Sequence, residues 1–483
     1  MDIENLENIK NVNALVFGDF MVDKYIIGDV SRISPEAPIP VINTTKKFYK
    51  LGGAGNVVNN IVSLGGKVRL LGTIGKDSHG EILSKEFKKL GVDTSYFKEY
   101  KEIITIVKTR VVSRNQQFIR IDDEKKEPIL EKYITFIKKN INNVFKDIDV
   151  LIISDYNKGA VTKEFSNYLI NTAKENKIPV IVDPKGTDYS KYTGADICTP
   201  NVKELKDVTK SEIKTEDDIK NNALDIIKKY KINNIMITRS EKGISLVCKD
   251  KTKSDFPALA KEVSDVSGAG DTVVAMSALL LALNYDYSEI CRTANVAASI
   301  VVSKFGTATV SINELMSSIV SNGEYKLQKL SSLKYIINEQ KEKGKKIVFT
   351  NGCFDLLHVG HLYSLKEAKK HGDILVVAVN SDQSVKRYKG DLRPIINEND
   401  RIALLCALEI VDYVVLMNDD NPVNIIKTIK PDVCVKGEDW KNKKVPEEEV
   451  INSYGGRMEY IELYPEYSTT KVIDKIVKSY GQE

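Results

Sequence analysis

Short apolar runs alternate along the chain with longer stretches whose apolar residues recur at helical spacing. The runs are Ala14–Phe17, Val68–Leu71, Val150–Ser154, Val180–Val182 and Ile235–Thr238, then Ile347–Thr350, Ile374–Val379, Tyr413–Leu416 and Val433–Lys436. Strand followed by helix, repeated through both halves, predicts α/β architecture with parallel sheets covered by helices. The pattern breaks between Ser317 and Lys346, where polar Ser321-Asn-Gly-Glu-Tyr-Lys leads into a charged amphipathic helix around Leu330–Lys343. We therefore expect a first domain over 1–323, a linker and leading helix over 324–345, and a second domain over 346–483.

Composition narrows this little. At 483 residues the chain exceeds a single core, and 42% apolar with 29% charged residues is globular. A net charge of +4 is too small to argue for nucleic acid. The six cysteines are scattered with no C-x-x-C, which argues against a disulfide framework or a zinc site. The N-terminus lacks a signal-peptide pattern, and the longest apolar stretch, Val273–Leu283, is too short for a bilayer. The expectation is a cytoplasmic protein that binds neither membrane nor nucleic acid.

Two places carry chemistry. His358 and His361 close the run Thr350-Asn-Gly-Cys-Phe-Asp-Leu-Leu-His-Val-Gly-His361, between a predicted strand and a helix over Leu362–Lys370. Backbone N–H groups at such a junction favour an anion, and two imidazoles on one turn suit the phosphates of a nucleotide. Capping or surface histidines would also fit a bare H-x-G-H; the strand, Gly352, Asp355 and the helix favour the phosphate site. The other place is Asp265-Val-Ser-Gly268-Ala-Gly270-Asp271, leading into Val273–Leu283. Small residues let the N–H groups of Gly268, Ala269 and Gly270 approach an anion, and Asp271 stands where a carboxylate can take a proton from an attacking hydroxyl. A dinucleotide fingerprint fails there because no third glycine follows at the required spacing.

These motifs carry two resemblances. Residues 346–483 resemble the cytidylyltransferase-like nucleotidyltransferases, in which H-x-G-H binds a nucleotide triphosphate. Arg387-Tyr-Lys389-Gly-Asp-Leu-Arg393 matches a basic loop of that family, Gly437-Glu-Asp439-Trp440 a nucleotide loop, and Ser468-Thr469-Thr470-Lys471 a hydroxyl motif. The resemblance implies nucleotide contacts from these and from Asn351, Gly352, Phe354 and Asp355. An arginine common before the hydroxyl motif is missing, so Lys471 or Arg393 is expected to supply part of that contact.

Residues 12–323 resemble the ribokinase-like sugar kinases of the phosphofructokinase B group. The glycine signature is Gly52-Gly53-Ala-Gly-Asn56, and Asn201-Val-Lys-Glu204 is the Asn-x-x-Glu motif, with Glu204 acting on Mg2+ through water. The resemblance makes Asp271 the base, assigns sugar contacts to Asp19, Asp23, Gly52, Gly53 and Asn56, and ATP contacts to Asn201, Glu204, Thr238 and Gly243. Thr238-Arg-Ser-Glu-Lys-Gly243 departs from the usual Thr-x-Gly-x-x-Gly, so residue 240 is a question for the structure.

Stretches around Arg114, Arg120, Lys158 and Lys185 are similar to the heptose 7-phosphate kinase branch, and these four cations are expected to meet the sugar phosphate. The implied fold is a three-layer αβα kinase domain with a small lid sheet, followed by a Rossmann-like transferase domain. The fusion is that of bifunctional heptose kinase/adenylyltransferases. It implies phosphorylation of D-glycero-β-D-manno-heptose 7-phosphate at C1, then adenylyl transfer to the 1-phosphate after a separate phosphatase. It further implies ATP at both sites, Mg2+, room for a monovalent cation at the kinase site, and a homodimer through the kinase domain. Two alternatives stand beside it: another sugar kinase fused to a cytidylyltransferase acting on a polyol phosphate, and a non-catalytic sugar sensor.

Overall fold

The computed structural model describes residues 6–113, 116–260, 263–304, 306–321, 326–441, 443, 445–462, 473 and 477–479. It divides into two compact units, Met1–Leu315 and Met316–Glu483. No helix among the described residues is long and apolar enough to cross a membrane.

The first unit is built on a nine-stranded sheet. Its order is Lys253–Phe256, Ile244–Cys248, Asn234–Thr238, Ile197–Cys198, Val180–Asp183, Val150–Ser154, Asn13–Gly18, Lys67–Gly75, Asp93–Tyr100. From Asn234–Thr238 to Asp93–Tyr100 neighbours run parallel, and the two strands at the opposite edge are antiparallel. Val150–Ser154 is buried at every position, as a strand covered on both faces must be. The strand order reverses between Asn13–Gly18 and Val150–Ser154, and the crevice outside the carboxyl ends of such a pair is where α/β sheets bind ligands. Helix Ala269–Ala282 is buried from Asp271 through Leu281, so it can only run through the interior. Its N-terminus brings Asp271 within hydrogen-bond distance of Tyr156, which lies just beyond the strand end at Ser154.

A second, four-stranded sheet forms a lid, in the order Pro40–Gly53, Phe20–Ile33, Ile106–Ser113, Gln116–Asp123. It starts immediately after the first strand of the main sheet, so the lid strands inherit their position from Gly18 and Asp19.

The second unit has five parallel strands in the order Tyr413–Met417, Ile374–Asn380, Ile347–Gly352, Val433–Gly437, Arg457–Ile461. The order reverses beside Ile347–Gly352, and the H-x-G-H turn follows that strand. Two apolar clusters cover the sheet, one centred on Phe349 and Val376, the other on Val348 and Val377. Period-2 alternation of these neighbours sends them to opposite faces. Helix Leu330–Glu342 buries Leu333 and Ile337 in the first cluster. Ahead of it, Val414 N–H donates to Lys326 O and Gln328 N–H to Val414 O, both at 2.8 Å, adding a rung to the sheet edge. From Lys326 onward the stretch expected as linker and leading helix is therefore part of the second unit.

Candidate functional sites

In the first unit the site is assembled around Asp271. Gly268 adopts φ +85° ahead of helix Ala269–Ala282, and a Cβ there would lie 2.9 Å from Asn56 Nδ2, so the position excludes a side chain. At Gly270 a Cβ would meet nothing within 4 Å, open room in front of the first-turn N–H groups. Asp271 accepts hydrogen bonds from Asn56 Nδ2 and from the Tyr156 hydroxyl, both at 2.7 Å. Burial pushes its carboxyl up to about 6, against the two hydrogen bonds, which favour the charged form. A carboxylate poised near neutrality, with both oxygens aligned, is equipped to take a proton.

The other expected residues fall into three groups. Asn56, Gly52 and Gly53 lie with Asp271 at the mouth: Gly53 caps helix Ala54–Ser63 at φ +56°, and a Cβ on Gly52 would touch the Asp23 carboxylate at 3.0 Å. Asp19 does something the motif did not suggest. Its oxygens accept the backbone N–H groups of Tyr156, Lys158 and Ala160, so it anchors the loop that carries Tyr156. Asp23 is buried and bound at 2.6 Å by Arg110 of the lid.

Asn201 and Glu204 form a reciprocal capping box at the start of helix Val202–Thr209. Glu204 also meets Lys185 at 2.6 Å. Lys185, expected on the sugar phosphate, is thus placed beside this group. Asp183, half-buried at the end of its strand, is pushed well up by desolvation and by the Asp271 and Glu204 charges. Thr238 bridges to Asn201, and Gly243 takes φ +82°. Ser240, standing where the usual motif has glycine, sits at φ +52°, the left-handed region that a serine adopts only at some cost. Arg239 behind it is buried and tied to Glu216 and Asp255.

Arg120 pairs with Asp122 on the lid and Lys158 with Glu124. Arg114 lies outside the described residues. Lys108 is a residue the sequence reading missed: its ammonium lies 5.3 Å from the Tyr156 ring. Tyr156 was missed too, although it stands in a stretch quoted for Lys158; a tyrosine gives no signal until its hydroxyl is seen on Asp271.

In the second unit His358 caps helix Val359–Lys369 and His361 stacks on it at 3.9 Å between ring centroids. Burial brings His361 down to about 4, and the Lys389 charge pushes the same way. Both imidazoles are therefore neutral near pH 7, each able to donate one N–H. Phe354 packs on His361 at 5.3 Å, and a Cβ on Gly352 would crowd Phe354 at 3.1 Å. Asn351 Oδ1 is buried and has no hydrogen-bond partner among the described residues, the kind of acceptor a bound ligand completes.

Asp355 and Arg393, both expected on the nucleotide, face each other in a buried ion pair. Asp355 also accepts the Ile395 N–H at 2.6 Å, so this carboxylate latches the loop after Arg393. Gly437 ends the strand beside Ile347–Gly352, Asp439 is exposed in the turn Glu438–Trp440, and Lys436 and Lys443 both lie over the Trp440 ring, at 4.4 and 4.8 Å from its centroid. Ser468, Thr469, Thr470 and Lys471 lie outside the described residues. Arg401, unforeseen, is wholly buried and ties the carbonyls of Asn380 and Ile396 and the Asp382 carboxylate to one guanidinium.

Comparison with known proteins follows this division. Residues 13–314 match the pfkB family of carbohydrate kinases, and residues 349–475 the cytidylyltransferase-like family. Bifunctional protein HldE of Geobacter metallireducens is 44% identical, with all of both chains covered. The protein of that name from Sulfurimonas denitrificans is 43% identical over 96% of each chain. Among solved structures, phosphofructokinase-2 from Escherichia coli in complex with substrates and products aligns at TM-score 0.54 and 22% identity, over 64% of this chain and 98% of that one. Arabidopsis thaliana ribokinase complexed with ribose and ATP aligns at TM-score 0.51 and 18% identity, over the same shares. These two show the fold of the first unit.

Proposed function

The chain belongs to the HldE family of bifunctional proteins, a carbohydrate kinase joined to a nucleotidyltransferase, and from that premise we propose that it makes ADP-heptose in two separate steps. Similarity over the full length to proteins called bifunctional, with both motif sets retained in one chain, carries this reading.

In the kinase step Asp271 takes the proton of the C1 hydroxyl as that oxygen attacks the γ-phosphorus of ATP. Heptose 7-phosphate becomes the 1,7-bisphosphate and ADP leaves. Asn56 and Tyr156 hold the base in line, and the N–H groups at Gly268–Gly270 take up charge growing on the transferred group. Glu204, with Asp183 behind it, is a small carboxylate set of the kind that shares magnesium with nucleotide phosphates. Magnesium bound there would neutralise phosphate charge.

In the transferase step an oxygen of the 1-phosphate attacks the α-phosphorus of ATP and pyrophosphate leaves. The nucleophile is already an anion, so donors are needed and a base is not. His358, His361 and Lys389 serve as those donors. Ser468, Thr469, Thr470 and Lys471 complete them in this proposal.

A phosphatase acting on the 7-phosphate between the two steps, a homodimer through the lid and a cytoplasmic setting extend the proposal. Support for the dimer is the exposed strand Gln116–Asp123, with Phe118, Ile119 and Ile121 open to solvent. Incubation with MgATP or MgCTP and a panel of sugar and polyol phosphates, read by mass spectrometry in potassium and in sodium, tests the whole. Bisphosphate and ADP-heptose are expected; CDP-polyol formation would instead favour the fusion with a polyol-phosphate cytidylyltransferase.

A further inference from the structure

The lid gathers charges near Tyr156, and one of them makes no ion pair among the described residues. Register puts Lys108 opposite Asp23 on one side and opposite Asp122 on the other. Both carboxylates turn to arginines instead: Arg110 holds Asp23 at 2.6 Å and Arg120 holds Asp122 at 2.8 Å. Lys158, on the loop that Asp19 anchors, is held by Glu124 at 2.5 Å. Lys108 makes no ion pair among the described residues, although it is half-buried and lies 5.3 Å from the ring of Tyr156. That tyrosine donates its hydroxyl proton to Asp271.

An ammonium withdrawn from water without an ion-pair partner is costly: desolvation lowers its proton affinity, the Asp23 and Asp122 charges offset this only in part, and the Lys158 and Arg120 charges push the same way as burial. Such a group gains most from a dianion brought in by a ligand. Exposed pairs such as Arg120–Asp122 are worth little and can open to share the same dianion. A neutral sugar offers the cluster no comparable partner.

We propose that Lys108 is the residue that recognises the phosphate of the acceptor sugar, with Lys158 and Arg120 closing on it as second partners. It makes the first unit selective for phosphorylated acceptors. This rests on the reading of that unit as a sugar-phosphate kinase.

The test uses the full chain and compares heptose 7-phosphate with unphosphorylated heptose as acceptors for wild type, Lys108→Gln and Lys108→Arg. Loss of one charge-assisted hydrogen bond predicts a rise of about 10- to 100-fold in KM for the 7-phosphate in Lys108→Gln. Its kcat, and the KM for the neutral sugar, should stay near wild type, and Lys108→Arg should recover most of the loss. An unchanged KM in Lys108→Gln overturns the proposal. Equal losses on both sugars overturn it as well, since they would put Lys108 at the γ-phosphate or in the fold. Should wild type itself not favour the phosphorylated sugar, the functional reading fails first and the role of Lys108 with it.

Discussion

In the proposed kinase step Asp271 is the base, and its burial sets that role against stability. Its carboxyl sits at about 6 where an unfolded aspartate sits at 3.8, so the folded protein holds the proton more tightly. Stability contributed by this group is therefore greatest at low pH and falls as pH rises from about 4 to about 6. Above that window Asp271→Asn should be the more stable protein, by at most about 3 kcal/mol if the whole shift is recovered. Less is expected, because an amide cannot accept from both Asn56 and Tyr156. Thermal unfolding at pH 7.5 and pH 5 checks this: the advantage should shrink on acidification. The same variant should lose about 10²–10⁴-fold in kinase turnover. Wild-type kcat/KM, which reports the free enzyme, should fall as pH drops through about 6, where the proposed base becomes protonated.

Ser240 gives a second test at this scale. A serine at φ +52° carries a strain that glycine does not, so Ser240→Gly should raise the melting temperature of the first unit, corresponding to about 1 kcal/mol or less. A lower melting temperature would mean that the loop conformation is set by something other than this residue.

At the level of elements, most strands of both main sheets were legible because strands buried on both faces read as continuous apolar runs, whereas Asp93–Tyr100, Ile197–Cys198, Ile244–Cys248, Lys253–Phe256 and Arg457–Ile461 were not read. Val150–Ser154 and Ile374–Val379 are such runs. The lid strands were not legible from periodicity. Pro40–Gly53 and Gln116–Asp123 are largely exposed, and their Thr, Lys and Gln positions look like loop; only the family resemblance called for a lid. The glycine and histidine turns could be placed because their spacing fixes their geometry. What hid was partnership across the chain. Nothing in the spacing of Asp355 and Arg393 showed that they pair with each other. Lys185 read with the sugar-phosphate cations and pairs with Glu204.

The Asp355 latch makes a prediction of its own. Asp355→Asn keeps the shape but loses the ion pair to Arg393, leaving a buried guanidinium without its counter-charge. Adenylyl transfer should weaken through a higher KM for ATP, and proteolysis near the exposed Leu392 should speed up. Kinase activity in the same protein should be unchanged. A loss confined to kcat would place Asp355 in the chemistry instead of in the loop.

On the scale of the whole molecule, the two activities should be physically separable, since each unit has its own sheet and its own apolar clusters. We propose residues 1–323 as an independent kinase. For the transferase, the rung that Lys326 and Gln328 add to Val414 argues for a start before Lys326. A fragment beginning at Leu330 should be active yet less stable in urea than one that keeps this rung.

The most direct measurement assays three full-length proteins, wild type, Asp271→Asn and His361→Ala, in both reactions. One assay follows ADP from ATP and heptose 7-phosphate, the other pyrophosphate from ATP and heptose 1-phosphate. Asp271→Asn should abolish the first and leave the second at the wild-type rate. His361→Ala should do the reverse, with a loss of about 10²-fold or more for a missing donor to the phosphates. If either variant lost both reactions, or if wild type released no pyrophosphate with ATP, the account of two independent sites making ADP-heptose would be contradicted.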